Sequence, residues 1–122
     1  MTPKQQYKIF WNKFIYFFNF FNLARWELRD KGICAKADDK KCAENGGALV
    51  LCDIEQRTCT VSFFPLKNIK NKKEKTEELE ALAFHEALHV LLMPLGRNIA
   101  FQHEIINVLV AYHRIYCKKN SV

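Results

Sequence analysis

The sequence lacks several patterns that would assign it at once to a well-known class of protein. None of its five cysteines forms a C-x-x-C pair, which excludes the usual zinc knuckle and redox motifs, and their odd number favours free thiols. The apolar run from Ile9 to Leu23 is too short to cross a bilayer and is interrupted by polar residues, namely Asn12, Lys13, Asn19 and Asn22. No small-residue cleavage site follows it, so we expect no signal peptide, no membrane partner and a cytoplasmic location.

What the chain does contain is ordinary for one soluble domain. It has 122 residues, of which 49% are hydrophobic and 26% charged, and it shows no internal repeat. A chain of this length buries roughly two thirds of the surface that its unfolded state exposes. We therefore predict a single domain over residues 1–122, and we expect it to be a monomer.

The formal charge of +6 raises the question of a nucleic-acid partner. Much of the excess lies between Lys67 and Lys75, where five lysines stand among asparagines without any aromatic residue. We interpret this stretch as a solvated loop rather than a binding patch. Nucleic acid is therefore not the expected partner.

Three segments have helical patterns. Large apolar residues recur at three- and four-residue steps from Lys4 to Asn22, which indicates an amphipathic helix that packs on a core rather than on a membrane surface. Thr76 is predicted to cap a second helix that runs to about Met93, with glutamates in its first turn. After a break at Pro94, a last helix is predicted from Asn98 to about Cys117.

Between the first two helices the pattern changes to that of strands and a loop. Residues Ala24 to Lys31 alternate as in a short strand, with Trp26 and Leu28 on one face, and Gly32 is predicted to end it. The segment from Ala35 to Gly47 is rich in polar residues and glycine and is predicted to be a loop.

Two β-rich runs follow, Ala48 to Ile54 and Arg57 to Phe64, joined by two residues. Such a hairpin pairs residues whose numbers sum to 111, which places Cys52 opposite Cys59. Unreacted thiols, a disulfide and soft metal ligands are the alternatives for this pair, and unreacted thiols are favoured. The order helix, strand, hairpin, helix, helix predicts an α+β domain with a small, mostly antiparallel sheet.

The segment HEALH, from His85 to His89, carries the chemistry. Two histidines four residues apart on a helix project from one face and can bind one cation. Zinc suits imidazole ligands, and a catalytic zinc site uses three protein ligands and leaves a fourth position for water. Glu86 would accept the proton of that water as it attacks a peptide carbonyl. Two core histidines satisfied by hydrogen bonds are the less favoured interpretation, because such groups are costly to desolvate without a partner.

The third ligand must come from another segment. If the last helix folds back on the previous one, positions 102 and 103 lie level with His89 and Leu88. His103 is therefore predicted as the third metal ligand, with Glu104 either as the ligand in its place or as a group that orients a ligand. His113 lies ten residues further along and is assigned a surface or capping role.

These residues resemble a known family. The run FHEALHVLLMPL from Phe84 to Leu95, followed by QHEIIN from Gln102 to Asn107, is similar to the minimal zincin-like metallopeptidases common in bacteriophage and prokaryotic genomes. Those are single-domain relatives of the gluzincins and of SprT-like proteases. Trp26-Glu27-Leu28 is similar to their first strand and the segment Ala48 to Phe63 to their hairpin, although only the helical motif is sharply diagnostic.

The resemblance implies a zincin fold that hydrolyses peptide bonds with one catalytic zinc ion. The paired histidine ligands of the family fall on His85 and His89, and its glutamate base falls on Glu86. Gluzincins use a glutamate as the third ligand and SprT-like proteins use a histidine, and this sequence offers both, at Glu104 and His103.

The family also implies where a substrate binds. An edge strand above the metal aligns an extended peptide or protein, and the strand from Arg57 to Phe64 is expected to be that edge. A second hypothesis is a non-catalytic zinc-binding or basic interaction protein of phage or mobile-element origin. A closed site in which His85, His89, His103 and Glu104 all bind the metal would favour that alternative.

Overall fold

The computed structural model of the protein describes residues 1–34, 44–95 and 99–120, so most of the predicted loop from Ala35 lies outside it. Three helices and three strands are present, and a short 3-10 turn separates the last two helices. The bounds are α1 Pro3–Phe20, β1 Glu27–Ile33, β2 Gly47–Asp53, β3 Thr58–Phe64, α2 Lys72–Leu92, the 3-10 turn Met93–Leu95 and α3 Ile99–Asn120. This architecture confirms the predicted α+β class.

Helix α1 covers the core. Its N-terminus has a capping box, in which the Thr2 side chain accepts from the Gln5 backbone and the Gln5 side chain accepts from the Thr2 backbone. The aromatic residues of its apolar face pack against the sheet and α2, and Phe10 and Phe14 are fully buried. Burial of this face confirms that α1 packs on a core.

The three strands form one mixed sheet in the order β1-β3-β2. β3 pairs with β1 in parallel and with β2 antiparallel, so the sheet is not mostly antiparallel. The prediction that Arg57 to Phe64 forms an edge is wrong, because β3 is the central strand. The strand compositions explain this order: β1 carries charged residues that suit an exposed edge, whereas five of the seven residues of β3 are buried.

The hairpin of β2 and β3 has the predicted register. The residues from Gly47 to Asp53 lie opposite partners whose numbers sum to 111, so Cys52 faces Cys59. The turn is longer than predicted, because residues 54–57 all lie between the strands. Each strand is one residue shorter than predicted at the turn, which leaves the register unchanged.

Strand β1 begins and ends later than predicted. Trp26 precedes the strand and is buried in the core. Gly32 lies inside the strand with a φ of 70°, and its N–H donates to the Asp30 carboxylate. The register against β3 shifts between Asp30 and Ile33. A glycine with positive φ accommodates such an irregularity, so Gly32 interrupts the pairing without ending the strand.

Helix α2 begins one turn before the predicted cap. The side chain of Asn71 accepts from two backbone N–H groups, at 2.9 and 3.2 Å, and is the N-cap. Thr76 lies inside the helix, where its hydroxyl donates to the Lys72 carbonyl. The lysine-rich stretch is therefore only partly a loop, since its residues from Lys72 onward belong to α2.

Helix α3 folds back against α2, as the break at Pro94 predicts. Ile106 is fully buried at this contact and Gln102 is nearly so. In the described part of the chain, no helix is long and apolar enough to cross a membrane.

Candidate metal centre

Three histidines from two helices meet near the connection of α2 and α3. His85 and His89 lie one turn apart on α2, and His103 lies on α3. The Nε2 atom of His89 is 3.2 Å from that of His85 and 3.1 Å from that of His103. Among the described residues, these three form the one group of histidine, cysteine and acidic side chains that could hold a metal ion.

The spacing of the three side chains fits one bound ion. Zinc–nitrogen bonds of about 2.0–2.1 Å in a tetrahedral site place two ligand nitrogens roughly 3.3 Å apart. The two separations that involve His89, 3.2 and 3.1 Å, are close to this value, and all three ligand atoms lie within 4.8 Å of one another. Burial, with a contribution from the charge of His103, also lowers the pKa of His89. A lowered pKa favours the neutral imidazole, which is the form that binds metals.

Gln102 orients the ligand His89. Its Oε1 atom lies 3.1 Å from His89 Nδ1, and the residue is only 2% exposed. Because an amide oxygen can only accept, His89 Nδ1–H donates to it, and the lone pair of Nε2 points toward the other histidines. The predicted helical hairpin places position 102 level with His89 but indicates no role for it. The signal in the sequence is a polar residue on the α3 face that packs against α2.

Glu86 lies beside the cluster without belonging to it. The residue is buried and lines the same cleft as the histidines. Desolvation, with a further contribution from Cys52, raises the pKa of Glu86 to about 8 in the metal-free protein. A cation held by the histidines would favour the ionised carboxylate instead. This placement suits a base better than a ligand.

His103 and its alternative, Glu104, are both exposed, but only His103 belongs to the group that could hold a metal ion. His113 lies away from this group. His113 stacks on Phe84 with ring centroids 4.5 Å apart and meets the edge of Phe17 at 5.5 Å. His113 is only partly buried, which is compatible with the expected surface role, and aromatic rings of α1 and α2 pack against its imidazole.

A cleft of about 630 Å³ opens beside the histidines. One wall is formed by α2 and α3, and the opposite wall is formed by residues 46–50 at the start of β2. Apolar side chains line much of it, and a Glu78 carboxylate oxygen in the cleft lies 2.9 Å from the Arg114 guanidinium. The lining side chains on the helices and the following turn are Glu78, Leu82, His85, Glu86, His89, Met93, His103 and Asn107.

Gly46 holds the β2 wall in place. It has a φ of 79°, and a Cβ atom there would lie 2.6 Å from the Pro65 carbonyl carbon and 2.8 Å from Leu66 Cα. Only glycine fits such a close backbone approach. The position of the cleft wall therefore depends on contact between two backbone segments.

Comparison of the chain with protein-family models, with curated proteins and with solved structures finds no match in any of the three. A function must therefore be argued from the site itself. The observations available are the three converging histidines, the hydrogen bond from His89 to Gln102, the buried Glu86 and the cleft bounded by β2.

Proposed function

We propose that this protein is a zinc-dependent metallopeptidase with a zincin-like fold. His85, His89 and His103 would hold the ion, and Glu86 would act as the general base. The observation that carries the proposal is the meeting of three imidazole Nε2 atoms beside a buried carboxyl group in a cleft. An arrangement with metal ligands, base and substrate space in one cleft is what metal-assisted hydrolysis requires.

The ligand set supports zinc in a catalytic rather than a structural site. Imidazole suits zinc, and structural zinc sites are usually closed by four protein ligands. The described residues supply three, and Glu104 is not part of the group. A zinc ion held by three protein ligands would have a fourth coordination position available for water. This argues against the closed site that the non-catalytic alternative requires.

Glu86 is placed to move protons. When bound, zinc would supply Lewis acidity that polarises a peptide carbonyl and makes an attacking water more acidic. Glu86 follows His85 in the chain and lines the cleft, so its carboxylate can accept a proton from water and pass it to the departing amine. Its burial excludes bulk water, which strengthens electrostatic interactions with the reacting groups.

Strand β2 is the proposed platform for the substrate, in place of the central strand β3. In the described part of the chain, only β3 pairs with β2, which makes β2 an edge strand, and the first residues of β2 line the cleft. An extended peptide can add to such an edge through main-chain hydrogen bonds. This mode of binding would place a peptide bond of the substrate beside the histidines, and it would depend little on the side chains of the substrate.

The first test is zinc content and peptide cleavage by the tag-free protein. Wild type should bind zinc near stoichiometrically and cleave an unstructured protein such as casein. Glu86→Gln should keep the metal and lose about 10²- to 10⁴-fold in rate, the usual contribution of general acid–base catalysis. Glu104, which follows His103 in the chain and is exposed, gives a matched control. The variant Glu104→Gln should keep both zinc and activity.

Each other outcome has a defined meaning. Full activity in Glu86→Gln would show that the assigned base is wrong. Zinc binding that depends on His89, without cleavage of any peptide, would favour a non-catalytic zinc protein. Absence of zinc from both wild type and His89→Ala would refute the metal site and the enzyme with it.

A further inference from the structure

Two cysteines on the inner face of the sheet form a close pair that the proposed hydrolysis does not use. Cys52 on β2 lies directly opposite Cys59 on β3, and their Sγ atoms are 3.9 Å apart. The two sulfur atoms are in contact but are not covalently bonded, so both cysteines are free thiols. Side chains directly opposite on paired strands are near the separation that a disulfide needs, with Cβ atoms about 3.5–4.5 Å apart.

The two thiols differ in access and in acidity. Cys59 is fully buried in the hydrophobic core, whereas Cys52 is only partly buried. Contact with the Cys59 thiol lowers the pKa of Cys52, and the same contact together with burial raises the pKa of Cys59. The more accessible thiol is thus also the one that ionises first, and the thiolate is the nucleophile in disulfide exchange.

We propose that Cys52 and Cys59 are a reversible thiol pair that closes to a cross-strand disulfide by exchange with a small-molecule disulfide such as oxidised glutathione. The Cys52 thiolate attacks one sulfur of the reagent, forms a mixed disulfide and releases one glutathione thiolate. The Cys59 sulfur then attacks the Cys52 sulfur, and its proton passes to the second departing glutathione. Two protein thiols are oxidised, and one glutathione disulfide becomes two thiols.

Cys52 lies on β2, the strand whose first residues line the cleft, yet the cysteine pair is separate from the proposed metal ligands. The disulfide would join edge strand β2 to central strand β3, whereas the three histidines lie on α2 and α3. Oxidation should therefore leave zinc affinity within about threefold of the reduced protein. The inference does not depend on the proposed peptidase activity, because the thiol chemistry is measured without substrate.

The experiment uses the full chain with Cys34→Ser, Cys42→Ser and Cys117→Ser, so that only the pair of Cys52 and Cys59 remains. The folded protein is incubated with oxidised glutathione, the remaining thiols are alkylated, and the product is digested with trypsin. Trypsin cleaves after Arg57, between the two cysteines. Oxidised protein that runs as a monomer on a non-reducing gel is taken for digestion, so that two joined peptides report a disulfide within one chain, and they should separate on reduction. Matched Cys52→Ser and Cys59→Ser variants should give none of this species.

Three results would overturn the proposal. These are a stable glutathione adduct on Cys52 without ring closure, disulfide-linked dimers in place of the joined peptides, and linkage that forms only when denaturant is added. Circular dichroism of each variant before oxidation establishes that it is folded. Mapping of the wild-type chain in the same way shows whether the linkage forms without the background substitutions.

Discussion

Replacement of Gln102 should weaken metal binding although Gln102 is not a metal ligand. The residue is 2% exposed, and its Oε1 atom accepts from His89 Nδ1–H at 3.1 Å. Gln102→Leu keeps a side chain of similar size and removes the acceptor. His89 could then rotate, or carry its proton on Nε2, the atom that faces the other histidines.

The expected size follows from the role of such partners in known metal sites. Loss of a hydrogen-bond partner to a metal-bound histidine usually costs about 10- to 100-fold in affinity. That range corresponds to about 1.4–2.7 kcal/mol. The buried position of Gln102 places the effect toward the upper end, because water cannot easily replace the lost acceptor.

The assay is competition for zinc against a chromophoric chelator, with wild type and variant measured at the same pH. Gln102→Glu is the matched control, because a carboxylate also accepts from Nδ1–H and should keep the affinity at or above that of wild type. Urea denaturation of the metal-free proteins separates a metal-site effect from a general loss of folding.

One result would refute the reasoning. If folded Gln102→Leu bound zinc within about threefold of wild type, the hydrogen bond would not be what orients His89. The direction of Nε2 would then have to be determined by packing around the imidazole ring.

Three further predictions test other parts of the structure. His103→Ala should weaken zinc affinity more than 100-fold, beyond the effect of a supporting residue, while Glu104→Ala should not change it, as competition titration will show. In metal-free protein the pKa of Glu86 is about 8, above its ordinary value of 4.5. Between pH 4.5 and 8, Glu86 is therefore mostly protonated in the folded state and mostly ionised in the unfolded state. The free energy of unfolding should therefore fall as pH rises through this range, by up to about 1.4 kcal/mol per pH unit. Urea denaturation in the presence of EDTA measures this slope, and the contribution of Glu86 should be lost in Glu86→Gln. Asn71→Ala should cost about 1 kcal/mol and lower the Tm in calorimetry, whereas Thr76→Ala should have little effect because Thr76 is not the cap.

The meeting of the three histidines was predictable because local geometry determines most of their arrangement. A four-residue step brings His85 and His89 to one face of a helix in any fold. The break at Pro94 makes the next helix fold back, which brings His103 level with them, as observed. The choice between His103 and Glu104 was not predictable, since it depends on the rotation of α3 about its axis, and adjacent residues point about 100° apart.

The order of the strands was not predictable from local patterns. Hairpin register depends on neighbouring residues, and the pairing of Cys52 with Cys59 was correct. The parallel pairing of Glu27 with Thr58 joins distant segments and is decided by which strand the helices bury. The charges of β1 did carry a usable signal, since charged residues are typical of edge strands. Gln102 was missed for a related reason, because its role requires an exact contact between two helices.

The proposed metal ligands, Glu86 and Gln102 all lie between positions 85 and 103, within the helical hairpin of α2 and α3. Bringing these residues together requires closing only one short loop, which costs little chain entropy. The cleft wall at β2 comes from a segment that is distant in the sequence, so bringing it to the same site costs more. Metal binding would therefore act on a local folding unit, and the hairpin could gain protection from hydrogen exchange without a comparable gain in β1. The proposed metal ligands are thus brought together by one short connection, whereas the proposed substrate wall is joined to them through the core that α2 shares with the sheet.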